Sequence, residues 1–250
     1  MQSRARAKRP RLLSVPREVS AASMLLISGI GGLILARPTL SYLLLGLSVL
    51  AIHFFTFDSA FYALRAGNTG LFLVSVTINV IPYIIVLAYS KPPLPALGLL
   101  GAALLLLVAH LVVEKISGPG SELEYIVGSS IPVLPAATIP SLLGLVNRWV
   151  VVYWLLSAIY AVATAAYVEA HLPWRRTGPW LALALFLPSW VLVVTAPYVS
   201  VALVEPTISY LLYALRPRKI APQMIRRLGQ RTLARLFLFS LLVLVTLYYQ

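Results

Sequence analysis

The side chains able to do chemistry in this chain are few: seven acids, three histidines and no cysteine stand beside twenty lysines and arginines. The lack of cysteine removes disulfides, thiolate metal sites, iron–sulfur clusters and Cys nucleophiles. The densest cluster is basic. In RPRKIAPQMIRRLGQRTLAR, residues 216–235, Pro222 can open a helix that sets Arg227, Arg231 and Arg235 at i, i+4 spacing on one face, with Arg226 beside them. Like charges so placed repel by roughly 0.2–0.5 kcal/mol per pair, little enough for one lipid phosphate or diphosphate to reverse. Met224, Ile225 and Leu228 give the segment an apolar side suited to a membrane interface. The same charges also serve to hold a loop in the cytoplasm, and both uses stay open.

The acids are scarce enough to place one by one. Asp58 closes the second apolar span and Glu169 the sixth, both near the mouth that the arginines would guard. A Mg²⁺ held against a diphosphate usually needs two or more carboxylates together. Each of these ends has one, so no metal site is expected and no cofactor is assigned. Glu114, Glu122 and Glu124 flank the connection between the fourth and fifth spans and are expected to be solvated. Glu205, followed by Pro206, lies inside the eighth span, where an ionised group costs about 2.5–3.5 kcal/mol or more. It is either a proton or cation site, as in a small-solute transporter, or a residue near the outer interface with a partner such as Arg148.

His53 precedes Asp58 by five residues and His110 precedes Glu114 by four, which sets the two histidines at similar depth. Such a pair can ligate a b-type haem from both sides, as in a membrane anchor or cytochrome subunit of a respiratory complex. Hydrogen-bonded or interface-facing histidine is the plainer alternative. His171, beside Trp174, Arg175 and Arg176, reads as an anchor at head-group level. Asn79, with Pro82, adds a polar spot to the third span.

The elements that must position these groups follow from composition. Of 250 residues, 60% are hydrophobic and 27 are charged, against about 60 charged in a soluble domain of this size. With a mean hydropathy of +0.90, the chain cannot coat a water-facing surface. Stretches free of Asp, Glu, Lys and Arg run 19–36, 38–57, 66–90, 92–113, 125–147, 149–168, 177–204, 206–215 and 236–250. A bilayer core needs about 20 apolar residues per helix. The region 177–215 therefore holds two helices, with a turn near Thr195-Ala196-Pro197, which makes nine in all. Lys and Arg collect in cytoplasmic loops, and with the N-terminus inside they divide seventeen to three. Counting 177–215 as one crossing would level that division at ten to ten.

The expected architecture is an all-α polytopic membrane protein. A basic cytoplasmic tail, 1–18, precedes a single nine-helix domain, 19–250, in the plasma membrane. The tail's charges orient the first helix, and no nucleic-acid partner is expected. The first span reads as a retained helix rather than a removed signal. The last helix, from about 233 to 249, is expected to be short. Ser28, Gly32 and Ala36 form a small-residue stripe that should be a helix contact. Gly128, Ser129, Ser130, Pro132, Pro135 and Pro140 point to a broken fifth span, which survives only where buried or lining a cavity.

The string PREVSAASML, Pro16 to Leu25, resembles the opening of the YwiC-like membrane proteins, with Pro16, Arg17, Glu18, Ala21, Met24 and Leu25 fitting that pattern. Val19, Ser20 and Ser23 stand where that family has His, Gly and Trp. AYVEAHLPWRR at the end of the sixth span, and the basic loop with Gly229, are similar in kind. The order of spans also resembles the UbiA-type prenyltransferases, whose two cytoplasmic loops carry Asp-rich Mg²⁺ motifs. Here FFTFDSAFYALRAGN offers Asp58 alone and AYVEAHLPWRR Glu169 alone. The resemblance thus implies a UbiA-like bundle rather than an enzymatic activity, with lipid or isoprenoid phosphate as the ligand class. A reporter fused after Gln250 is expected on the outer face; protease access to the tag in sealed vesicles checks this, and a tag reachable from the cytosol would remove the odd number of crossings.

Overall fold

The computed structural model describes residues 11–16, 18–89 and 92–250, except for the side chains of Asp58, Phe61, Leu64 and Arg65. The first ten residues of the basic tail, Arg17 and Lys91 lie outside the described residues. Among those described, every regular element is helical. Four long helices come first: α1 (Val19–Ala36), α2 (Leu40–Arg65), α3 (Thr69–Tyr89) and α4 (Leu94–Ser117). The fifth span is broken, as the sequence predicts, into α5 (Glu122–Gly128), a 3-10 turn (Ile131–Val133) and α6 (Pro135–Leu142). Then come α7 (Arg148–His171), the short α8 (Leu181–Phe186), α9 (Ser200–Leu215) and α10 (Ile225–Tyr248). Among the described residues, eight spans are long and apolar enough to cross a bilayer, taking Glu122–Leu142 as one, and Leu181–Val194 is a shorter apolar segment. The chain is an all-helical, multi-pass membrane protein.

The breaks follow from proline chemistry. Pro132, Pro135 and Pro140 donate no backbone hydrogen bond, so a regular ladder cannot run through 122–142. Pro188 sits in the first turn of the 3-10 stretch Leu187–Val194 that prolongs α8, and the chain turns at 195–197 as expected. The end of the chain differs from expectation. The last helix is not short and does not begin near 233; α10 has 24 residues, about 36 Å at 1.5 Å per residue. Pro222 opens a 3-10 turn, and no strong helix breaker lies between Ile225 and Leu236, so the arginine-bearing face and the last span form one helix.

Helix α1 covers the break. Ser28 Oγ donates to Pro132 O at 3.2 Å, which satisfies a carbonyl in the interrupted region. A Cβ on Gly32 would lie 2.8 Å from Ala136 Cα and closer still to Ala136 O, and one on Gly29 would lie 3.3 Å from Pro135 Cβ. Ser28, Gly32 and Ala36 are all buried, as the small-residue stripe predicts. Tyr153 from α7 reaches the same helix and donates to Ile27 O at 3.2 Å.

Polar side chains tie both ends of the bundle. Asn147 Oδ1 accepts the amides of Trp149 and Val150 at 2.9 and 3.0 Å, capping α7, while its Nδ2 donates to Leu35 O at 2.8 Å. Beside it, Arg37 donates to Tyr248 O at 3.0 Å, so α1 and α10 finish at the same end. At the opposite end, Arg175 donates to Gly120 O at 2.9 Å, Lys219 Nζ to Arg175 O at 3.0 Å, and Ile220 N to His171 O at 3.0 Å. The α4–α5, α7–α8 and α9–α10 connections therefore meet there.

Gly32→Ala is expected to push α1 off α6 and lower stability by about 1–3 kcal/mol. Gly98→Ala, where a Cβ meets nothing within 4 Å, should leave the melting midpoint in detergent unchanged or raise it.

Candidate functional site

Two cavities hold the chemistry, and they divide the residues that the sequence grouped together. The larger, about 450 Å³, lies among α1, α2, α3, α4 and the broken span. Its wall is almost wholly apolar, with His53, Asn79, Tyr83 and Thr138 on one side and His110 and Glu114 on another. Asn79 Nδ2 donates to Thr56 Oγ1 at 2.7 Å and to Ser75 O at 2.8 Å. That orients Asn79 Oδ1 as acceptor toward His53 Nδ1, which bonds to it. His53 Nε2 lies 2.8 Å from the Tyr83 hydroxyl, and that hydroxyl lies 3.0 Å from Thr138 Oγ1. Both ring nitrogens of His53 are thus in use within the protein, as hydrogen bonding at that depth requires. The two histidines do share one cavity, as their matched positions in sequence suggest.

His110 is 2% exposed and sits against a carboxylate that sequence reasoning placed in water. Glu124 is buried, 6% exposed, which corrects that expectation. Its Oε1 lies 3.8 Å from His110 Nε2, and Glu114 Oε2 lies 3.9 Å from the same nitrogen. His110, Glu114 and Glu124 hold three possible ligand atoms within 4.8 Å of one another. A signal for this was present in Ser121-x-x-Glu124, the spacing of a capping box. Ser121 Oγ accepts from Glu124 N at 3.1 Å and starts α5 there, so Glu124 belongs to a buried helix and not to a loop. Glu122 stays partly exposed, as expected, and its carboxylate accepts from Arg176 N at 2.7 Å and from Thr177 Oγ1.

The second cavity, about 300 Å³, lies between the end of α7, α9 and the first turns of α10. Arg227, Arg231 and Arg235 all line it, together with His171, Glu205 and Ser209. Their common face is the i, i+4 ladder read from the sequence, rising about 6 Å per step. Arg235 is the deepest. Its Nε lies 2.9 Å from Glu205 Oε1, and Ser209 Oγ donates to the same oxygen at 2.9 Å. Glu205 therefore pairs with Arg235, not with Arg148. Both lie ten residues from their shared connection, so they meet at one depth and neutralise each other there. Arg148 instead stacks over Trp149, 4.0 Å from the ring centroid.

The remaining candidates lie apart from the arginine cavity. Glu169 is buried and paired with Arg175 at 2.7 Å. Arg226 is exposed and is not part of the cavity lining, and Asn79 belongs to the other cavity. The Asp58 side chain lies outside the described residues. His171 is not a surface anchor: it is buried, with Nδ1 bonded to Tyr167 O at 2.8 Å and its ring stacked 3.9 Å from Tyr213. No protein-family model, curated protein or solved structure matches the chain.

Tyr83→Phe should leave His53 Nε2 without its hydroxyl partner and cost about 1 kcal/mol, read as a lower melting midpoint in detergent. Ser48→Ala, on an exposed face of α2, is the matched control and should cost much less.

Proposed function

We propose that this is a nine-crossing protein of the plasma membrane, N-terminus cytoplasmic, of YwiC-like type and UbiA-like arrangement, and that it binds a lipid or isoprenoid phosphate in the arginine cavity. The single observation that carries this reading is the lining of that cavity: three guanidiniums and one carboxylate. Arg235 is matched by Glu205, so Arg227 and Arg231 leave two positive charges in excess at the mouth. Guanidiniums bind phosphate oxygens in a bidentate fork and cannot lose their charge. The apolar flank of α9 and α10, with Ile208, Leu212 and Phe237 exposed, suits the hydrocarbon part of such a ligand.

Crossing number and orientation rest on separate support. Arg37 at the end of α1 meets Tyr248 at the end of α10, which favours an odd number of crossings with Leu181–Val194 as the ninth. The basic residues of the 171–180 and 215–227 connections gather at the opposite end, in accord with a cytoplasmic face there.

The expected test is binding of isoprenoid diphosphate to the detergent-purified protein. Affinity should persist with a chelator present, fall as salt rises, and drop tenfold or more in the double variant Arg227→Ala plus Arg231→Ala, about 1.4 kcal/mol. Strict dependence on Mg²⁺, or wild-type affinity in the double variant, would overturn the reading.

A further inference from the structure

We propose that His110, Glu114 and Glu124 form a divalent-metal site in the wall of the larger cavity, selective for a zinc-like or manganese-like ion over Mg²⁺. The donor set is one imidazole nitrogen and two carboxylate oxygens. His110 and Glu114 stand at i, i+4 on α4 and so project from one face. Glu124 comes from the first turn of α5, across the tight 117–121 connection.

The distances suit a shared ion. His110 Nε2 to the two carboxylate oxygens measures 3.8 and 3.9 Å, beyond hydrogen-bond range for those atom pairs. Bonds of about 2.0–2.2 Å to a common tetrahedral centre set donors about 3.4 Å apart, so each His110 pair needs to close by a few tenths of an ångström, and the carboxylate pair, within 4.8 Å, by more.

The surroundings orient the donors. Glu124 Oε2 accepts from Gly120 N at 3.1 Å, which turns Oε1 toward His110. Supporting contacts of this kind set the geometry of metal ligands. Gly128 gives the imidazole its space: a Cβ there would lie 2.8 Å from His110 Cε1 and 3.1 Å from Nδ1. His110 and Glu114 line the cavity, so the open coordination position faces it. The cavity would then take a molecule with one metal-coordinating group, such as a carboxylate or hydroxyl, on an apolar body. An imidazole ligand and a three-donor set with an open position match zinc and its neighbours. Mg²⁺ prefers an all-oxygen octahedron and keeps its water.

The test uses the whole chain in detergent, stripped with a chelator and then titrated with Zn²⁺, Mn²⁺ and Mg²⁺ alone. One Zn²⁺ or Mn²⁺ per chain is expected, resistant to a large excess of Mg²⁺. His110→Ala and Glu124→Gln should each weaken it by more than tenfold, and Gly128→Ala, which keeps all three donors, by about tenfold. Arg231→Ala should leave it unchanged, which separates this site from the arginine cavity. Co²⁺ loaded into the wild-type chain reports the donor set directly through its visible absorption, so the proposal stays testable even where a variant fails to fold. Less than one ion per monodisperse chain, displacement by equimolar Mg²⁺, a Co²⁺ spectrum no different from the aquo ion, or full affinity in Glu124→Gln would each overturn it.

Discussion

A backbone amide or carbonyl in hydrocarbon has no water to turn to, and this requirement governs the middle of the molecule. Prolines at 132, 135 and 140 forbid a continuous helix across 122–142. The interrupted segment survives because α1, α4 and α7 close over it: Ser28 takes up the Pro132 carbonyl, and Gly29 and Gly32 let α1 approach the α6 backbone. The same segment forms one wall of the larger cavity, through Ile131, Leu134, Pro135 and Thr138. Two of its polar residues meet this segment, Tyr83 at Thr138 and His110 at Gly128.

Charge is arranged under the same restriction. Isolated ions within the bundle would be expensive, and the buried or deep ones are accompanied: Glu169 by Arg175, Glu205 by Arg235, and Glu124 by His110. Arg227 and Arg231 stand nearer the α9–α10 connection, where water and head groups can screen them. Arginines therefore progress from exposed to paired along one helix face, and the cavity beside them changes from charged at its mouth to neutral at its depth. The two cavities differ in kind: one is a basic mouth, the other an apolar chamber with acids and imidazole in its wall.

Periodic and compositional features were legible without any structure. The apolar runs located the spans, the turn near 195–197 followed from the length of 177–215, too long for one crossing, and the arginine ladder followed from residue spacing alone. These depend on the local chain and the uniform demand of the bilayer. What was misjudged depended on neighbours. Glu124 looked like a loop residue because apolar-run counting starts the fifth span at 125, whereas Ser121 begins the helix and buries the glutamate. Arg148 was weighed as a partner for Glu205, beside a proton or cation site, because Arg235 was counted with the cytoplasmic loop.

By itself the sequence determined that this chain lives in a bilayer, where its helices interrupt, and which helix face carries the arginines, because hydrophobicity, proline and i, i+4 spacing act within a few residues. Only tertiary structure decided which acid meets which base, that His53 spends both ring nitrogens on Asn79 and Tyr83, and that His110 gathers two glutamates. Those pairings join residues on separate helices, and the angle and depth at which helices cross are set by close packing of small residues over the broken span. No local pattern encodes that.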